Sequence, residues 1–265
     1  MNHWLTRAYQ GVRYLEYWLK AVNQYSLQAP FIFQFYSEVV LDDRTFYAFE
    51  EIEKLRSNLL HNNTEIEILD LGSGSVASPK SKRPISHIAK YSSSSSKFSE
   101  FLYRLILHQQ PKNILELGTS FGLNTLYMAK ANTKTPVITL EGCPATIEVA
   151  KANFVQLKAW NIEAVCGNID ITLPTILDKL TTLDLVYFDA NHTKEATLRY
   201  FSQCLEKAHE ETIFIFDDIH LSKGMSEAWR TIQGHENVTI SLDIFDAGII
   251  FFRKGLSKEH FILEF

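Results

Sequence analysis

The stretch Asn113-Ile-Leu-Glu-Leu-Gly-Thr-Ser-Phe-Gly-Leu-Asn-Thr-Leu-Tyr-Met-Ala129 constrains the fold more than any other. Pro111, which cannot sit inside a central ladder, precedes a short apolar run from Ile114 to Leu117. The chain then turns through Gly118 and Gly122 and takes up helical spacing at Leu123, Leu126, Tyr127 and Ala131. Strand, glycine turn and helix together aim backbone N–H groups and a helix N-terminus at a ligand. Glycine suits the turn because positive φ is costly for other residues and a side chain would block the ligand's approach. Glu116 lies inside the strand, two residues before the first glycine. A carboxylate there would repel a pyrophosphate and attract a cation.

The α/β rhythm continues after this unit. Pro136 to Glu141 reads as a strand ending in an acid, about twenty residues beyond the glycine turn, the spacing at which a carboxylate reaches ribose hydroxyls. Gly142 follows it, and Pro144 opens a helix at its favoured first-turn position. Ile162 to Cys166 is the third strand, followed by Gly167-Asn168. Leu183 to Asp189 reads as the fourth strand, nearly continuous in apolar residues as a buried parallel strand should be, and it ends in Asp189-Ala-Asn-His-Thr-Lys-Glu195. A helix is expected over 195–208. A fifth strand, Thr212 to Phe216, leads into Asp217-Asp218-Ile-His220. A helix marked by Met225, Ala228, Trp229 and Ile232 comes next, then strands at 238–242 and 248–252 joined by a short turn.

The loop Glu-Leu-Gly-Thr-Ser-Phe-Gly resembles the first motif of class I S-adenosylmethionine (SAM)-dependent methyltransferases, E/D-x-G-x-x-x-G, in every fixed position. The sulfonium and ammonium groups of that cofactor explain why an acid is tolerable there. The resemblance covers about residues 90 to 255. It implies a Rossmann-like, mostly parallel sheet of seven strands with helices on both faces and a C-terminal antiparallel hairpin. It also implies that Glu116, Gly118, Thr119, Ser120 and Gly122 hold the methionine part of SAM, and Glu141 and Gly142 its ribose. Asn168 stands where the family usually has Asp, with a carbonyl able to serve the adenine, and Asp189 borders the same cofactor.

Asp189, Asp217 and Asp218 lie at two strand tips, at the carboxyl edge where open α/β sheets keep their sites. Converging acids raise one another's pKa values unless a cation joins them, and oxygen ligands suit Mg²⁺. The pattern resembles the metal-dependent O-methyltransferases of the catechol, caffeoyl-CoA and antibiotic-sugar types, in which such acids hold Mg²⁺ and the metal lowers the pKa of the substrate oxygen. The alternative is that Asp217 and Asp218 cap the following helix. The family's proton acceptor is often Lys or Asp, and here Asn191 and His192 occupy those places. Asn cannot take a proton at neutral pH, whereas His can. His192 is therefore the first candidate base, with His220 and Lys194 after it.

Residues 1–88 read as a helical, aromatic-rich extension and residues 89–265 as the SAM-binding domain. Trp4, Tyr9, Tyr14, Tyr17 and Trp18 mark one helix, and Phe46, Phe49, Ile52, Leu55 and Leu59 another. Ile66 to Ser75 imitates a strand and glycine loop, but two prolines and no helical period follow it, so a surface hairpin or ligand-facing loop is expected. The polar run Tyr91 to Lys97 is either a linker or a segment folding over the cofactor.

The net charge of −5 and scattered basic residues give no footprint for nucleic acid. No apolar run is long enough for a membrane span, and the start lacks a signal-peptide pattern. Cys143, Cys166 and Cys204 lie far apart, consistent with reduced thiols and a cytoplasmic protein. A small-molecule acceptor is the expected partner, with a homodimer through the aromatic N-terminal segment as one option. Two other readings are weighed. A serine hydrolase would use Gly-Thr-Ser-Phe-Gly as a nucleophile elbow with Ser120, Asp189 and His220, but it needs strands and an oxyanion loop that the first 110 residues lack. A non-catalytic nucleotide-binding scaffold of the same fold is the other.

Overall fold

The computed structural model describes residues 3–69 and 81–265, with side chains from Ala8 onward. The chain begins with α1 (His3–Lys20), α2 (Pro30–Phe35) and α3 (Tyr47–Leu60). Strands β1 (Glu65–Ile68) and β2 (Ser81–Pro84) follow, then α4 (Ile85–Tyr91) and α5 (Ser96–Gln109). The alternating part runs β3 (Ile114–Leu117), α6 (Leu123–Ala131), β4 (Val137–Glu141), α7 (Pro144–Gln156), β5 (Ile162–Cys166) and α8 (Ile169–Leu177). It continues with β6 (Leu183–Phe188), α9 (Lys194–Leu205), β7 (Ala208–Asp217) and α10 (Lys223–Gly234). The chain closes with β8 (Ile240–Asp243), β9 (Ala247–Phe251) and β10 (Glu259–Ile262).

The main sheet has eight strands and is mostly parallel, in agreement with the Rossmann-like expectation. The eighth strand, absent from that expectation, is β10, which lies parallel to β8. By contacts the chain divides into two compact units, residues 41–178 and residues 1–40 with 179–265.

In the 41–178 unit, β3, β4 and β5 are parallel neighbours in that order. Ile114, Leu115 and Leu117 are fully buried, each worth about 1.5–3 kcal/mol as apolar side chains removed from water. α6 is buried nearly all round, from Leu123 through Tyr127 to Ala129, which explains why its sequence is apolar on every face. β1 pairs antiparallel with β2, Glu65 opposite Pro84. Its glycine loop, Asp70 to Ser75, lies outside the described residues.

In the other unit the strand order is β10-β8-β9-β7-β6. β9 runs against both β7 and β8, the reversed strand of the terminal hairpin. Aromatic side chains fill its core, with Phe188 stacked on Phe216 at 4.4 Å and Trp229 against Phe216. The N-terminal helices are fastened to the C-terminal strands. Tyr17 donates to the Leu263 carbonyl (2.6 Å) and Tyr36 to the Glu264 carbonyl (3.0 Å). Among the described residues no helix is long and apolar enough to cross a membrane.

Candidate active site

The 41–178 unit carries the glycine turn. Gly118 (φ 101°), Ser120 (φ 48°) and Gly122 (φ 76°) all have left-handed backbone. At Gly122 the reason is also steric, because a Cβ would stand 2.3 Å from a ring carbon of Phe154 on α7. The glycine therefore lets α6 start against α7 as well as leaving the turn open.

Glu141, at the tip of β4, is tied into this turn. One carboxylate oxygen accepts the Ser120 N–H (2.9 Å) and the other the Cys143 N–H (2.9 Å). Burial raises its pKa and these N–H donors oppose the rise. The nearby Gly142 N–H acts in the same sense. Cys143 also fastens β1 to this corner: its Sγ accepts the Leu69 N–H (3.4 Å).

Glu116 is enclosed. Its Oε2 accepts from the Thr125 hydroxyl and from Thr139 (2.6 Å), and Thr119 pairs with Thr139 (2.5 Å). Its Oε1 is buried without a partner. Burial pushes the carboxyl up to about 8, the two threonine hydrogen bonds opposing it. A buried oxygen lacking a donor suits a cationic neighbour, the reading the sequence gives for this position. Asn168 caps α8: its side-chain carbonyl accepts the Asp170 N–H (2.9 Å).

The polar run before α5 is no free linker. Ser92 pairs with Ser120 of the glycine turn (3.0 Å), and Asn124 at the start of α6 donates to Ser94 (2.8 Å). Ser96 donates to Glu53 of α3 (2.7 Å), and Ser95 caps α5. The serines thus lie against the turn that opens α6.

The other unit carries the acids at the tips of β6 and β7. The Tyr187 hydroxyl lies between them, 2.9 Å from Asp217 Oδ2 and 3.3 Å from Asp189 Oδ2. His192 Nε2 stands 3.4 Å from Asp189 and Nδ1 3.9 Å from Asp218. Burial, then the charges of Asp189 and Asp218, hold Asp217 well above the ordinary carboxylate range. Asn191 (φ 67°), His192 (φ 30°) and Asp218 (φ 55°) all have left-handed backbone, a concentration of strain typical of functional loops. The donor set, three carboxylates and an imidazole, suits a hard divalent cation. Among the described residues, though, no three such side chains stand at ligating distances. The alternative role of caps is not taken up, because Ser222 caps α10 by accepting the Met225 N–H (3.1 Å).

Two candidate residues have other partners. His220 Nε2 binds Asp243 (2.8 Å) and its ring stacks on Phe245. Lys194 Nζ pairs with Glu227 (2.9 Å). Ser120, the other candidate of the hydrolase reading, is likewise engaged by a residue of its own unit, Ser92. Sequence reasoning missed Tyr187, although its place two residues before Asp189 puts both on one face of the strand. It also missed Asp243, which has no motif around it.

Residues 115–219 match the model of a methyltransferase domain. The chain is 32% identical over 127 residues to a catechol O-methyltransferase of Mycobacterium tuberculosis, covering 47% of this chain and 56% of that protein. It is 31% identical over 123 residues to a catechol O-methyltransferase of Niastella koreensis, covering 45% and 55%. The chain thus spans little more than half the length of these curated relatives. In structure it is similar to an O-methyltransferase from Bacillus cereus solved in complex with S-adenosylhomocysteine (SAH), with a TM-score of 0.56 at 20% identity, over 83% of this chain and 96% of that one. The complete glycine motif, on a strand, turn and helix of the expected kind, thus lies inside the stretch that is similar to a methyltransferase domain.

Proposed function

We propose that this protein transfers a methyl group from SAM to a hydroxyl oxygen of a small molecule, with catechol-like phenols the first acceptors to try. The observation that carries this reading is Glu141, a carboxylate at a strand tip held by the N–H of the glycine turn, inside the matched domain. Its remaining lone pairs are the acceptors that two ribose hydroxyls require.

SAM supplies an electrophilic methyl on a sulfonium. Around it, the backbone of Gly118 to Gly122 and the Glu116 carboxyl hold the methionine part. Asn168, its carbonyl engaged as a cap, offers its amide N–H groups to an adenine ring nitrogen. In the second unit, Asp189, Asp217 and Asp218 are the residues that would hold Mg²⁺, which would supply Lewis acidity toward the acceptor oxygen. His192 takes the proton that the hydroxyl loses. Asp189 and Asp218 flank its ring, so carboxylates meet the positive charge it gains. Tyr187 keeps Asp189 and Asp217 together through one hydroxyl.

The test is calorimetric titration with SAH against wild type and Glu141→Ala, followed by transfer of labelled methyl to a panel of phenols with and without Mg²⁺. Micromolar SAH binding that Glu141→Ala weakens, with label in a phenol, supports the whole reading. Binding without transfer to any acceptor favours the scaffold. Transfer insensitive to Mg²⁺ and chelator removes the metal. Absence of SAH binding overturns the proposal.

A further inference from the structure

Helix α1 has two faces of opposite character. One is anchored: Tyr9 donates to Ser226 (2.9 Å), and Tyr17, buried, donates to the Leu263 carbonyl. The other carries Ala8, Gly11, Val12, Leu15, Trp18 and Leu19, spaced at three and four residues and therefore on one stripe. Val12, Leu15, Trp18 and Leu19 are 59%, 56%, 64% and 68% exposed. Water-facing residues of this kind in two turns of helix form an apolar patch that a monomer rarely leaves bare.

The stripe is graded in size. Its first half is Ala8, Gly11 and Val12, and its second half is Leu15, Trp18 and Leu19. Gly11 has open space where its Cβ would be, so nothing among the described residues uses its lack of a side chain. A glycine in a helix interior is unfavourable for folding. It does allow another helix to approach closely, as small residues do in tightly packed helix pairs.

We infer that α1 pairs antiparallel with α1 of a second copy of this chain, with Leu15 beside the two-fold axis. In that register Val12 faces Trp18 of the other copy, and Gly11 faces its Leu19. The large half of each stripe thus fills the small half of the other. Such a surface is self-complementary, as an isologous interface must be. With large side chains of roughly 150–250 Å² each, the stripe and the half-exposed Tyr14 leave roughly 500 Å² bare per copy. Two copies therefore cover about 1,000 Å², the size at which an interface becomes specific. The net charge of −5 argues against an anionic lipid surface as the occupant. This inference does not depend on the methyltransferase reading.

Sedimentation velocity across a concentration series tests it, on wild type, Trp18→Glu and Gly11→Leu. The wild type is expected to be a dimer at micromolar concentration, and each variant is expected to dissociate at least about tenfold more readily. Gly11→Leu is informative because leucine favours the helix, so loss of the dimer cannot be ascribed to an unfolded α1. A Leu15→Cys variant is expected to form a disulfide-linked dimer on mild oxidation, beyond the background that wild type shows from exposed Cys166. A wild type that stays monomeric overturns the inference, as does a dimer that both Trp18→Glu and Gly11→Leu leave intact. A monomer that sediments with phosphatidylcholine vesicles in a Trp18-dependent way overturns it in favour of a lipid surface.

Discussion

The acids at the glycine turn and those at the tips of β6 and β7 are treated in opposite ways by the chain around them. Glu141 has an N–H on each oxygen, and Glu116 has two hydroxyls on one of its oxygens. Asp217 accepts from the Tyr187 hydroxyl and the Asp218 N–H, with His192 nearby, and it faces two further carboxylates. The first group has donors from its own unit on every oxygen but Glu116 Oε1, which fits a rigid seat. The second is left in mutual repulsion, which fits a place waiting for positive charge. Preorganisation and stored repulsion are different uses of the same residue type.

If that contrast holds, the largest effect falls on chemistry in the second unit. Asp217→Asn is expected to slow methyl transfer by about 10²–10³-fold while leaving SAH affinity within about twofold. Steady-state rates with labelled SAM and calorimetry check the two halves of this statement. A large loss of SAH affinity would break the comparison.

Next is the packing that makes the seat rigid. Gly122→Ala forces a Cβ into Phe154 and a left-handed backbone on alanine, and should cost about 3 kcal/mol in urea unfolding. Glu141→Ala is expected to weaken SAH binding about thirtyfold, or about 2 kcal/mol, because the Ser120 and Cys143 N–H groups lose their acceptor as well. Preserved affinity would mean that Glu141 only braces the turn.

The smallest effect concerns Glu116. Its folded pKa of about 8 lies above the ordinary 4.5. The stability it contributes is therefore complete below about pH 4.5 and is lost as the pH rises through about 8. Glu116→Gln should flatten that part of the profile and stabilise the protein by about 1 kcal/mol at pH 9, after allowance for water entering the opened site. Thermal melts from pH 5 to 9 would show it. An unchanged slope would place the titration elsewhere.

Much of the fold was legible because burial writes itself into parallel strands. β3 and β6 begin and end where their apolar runs do. The hidden elements are those in which tertiary packing overrode local pattern. α8 contains Pro174, α4 is one short run after a proline, and β10 is Glu-His-Phe-Ile with half its residues polar. β7 starts at Ala208, where the sequence suggested that the preceding helix still ran. The site divides similarly. Acids at strand tips are visible from spacing, because strand ends are local. The Tyr187 bridge, the His220–Asp243 pair and the left-handed backbone of Asn191, His192 and Asp218 depend on neighbours far along the chain or on loop geometry.

The fastening of Tyr17 to Leu263 has a consequence for biosynthesis. The two residues are 246 positions apart. At roughly 5–20 residues per second, a ribosome needs about 10–50 s to deliver the carbonyl after the tyrosine has been made. Throughout that interval the anchored face of α1 is without its partner on the C-terminal strands, and before its end residues 41–178, a compact unit of contiguous chain, are complete. A helix made before that unit is secured only after it, and its aromatic surface is a natural client for chaperones on the nascent chain.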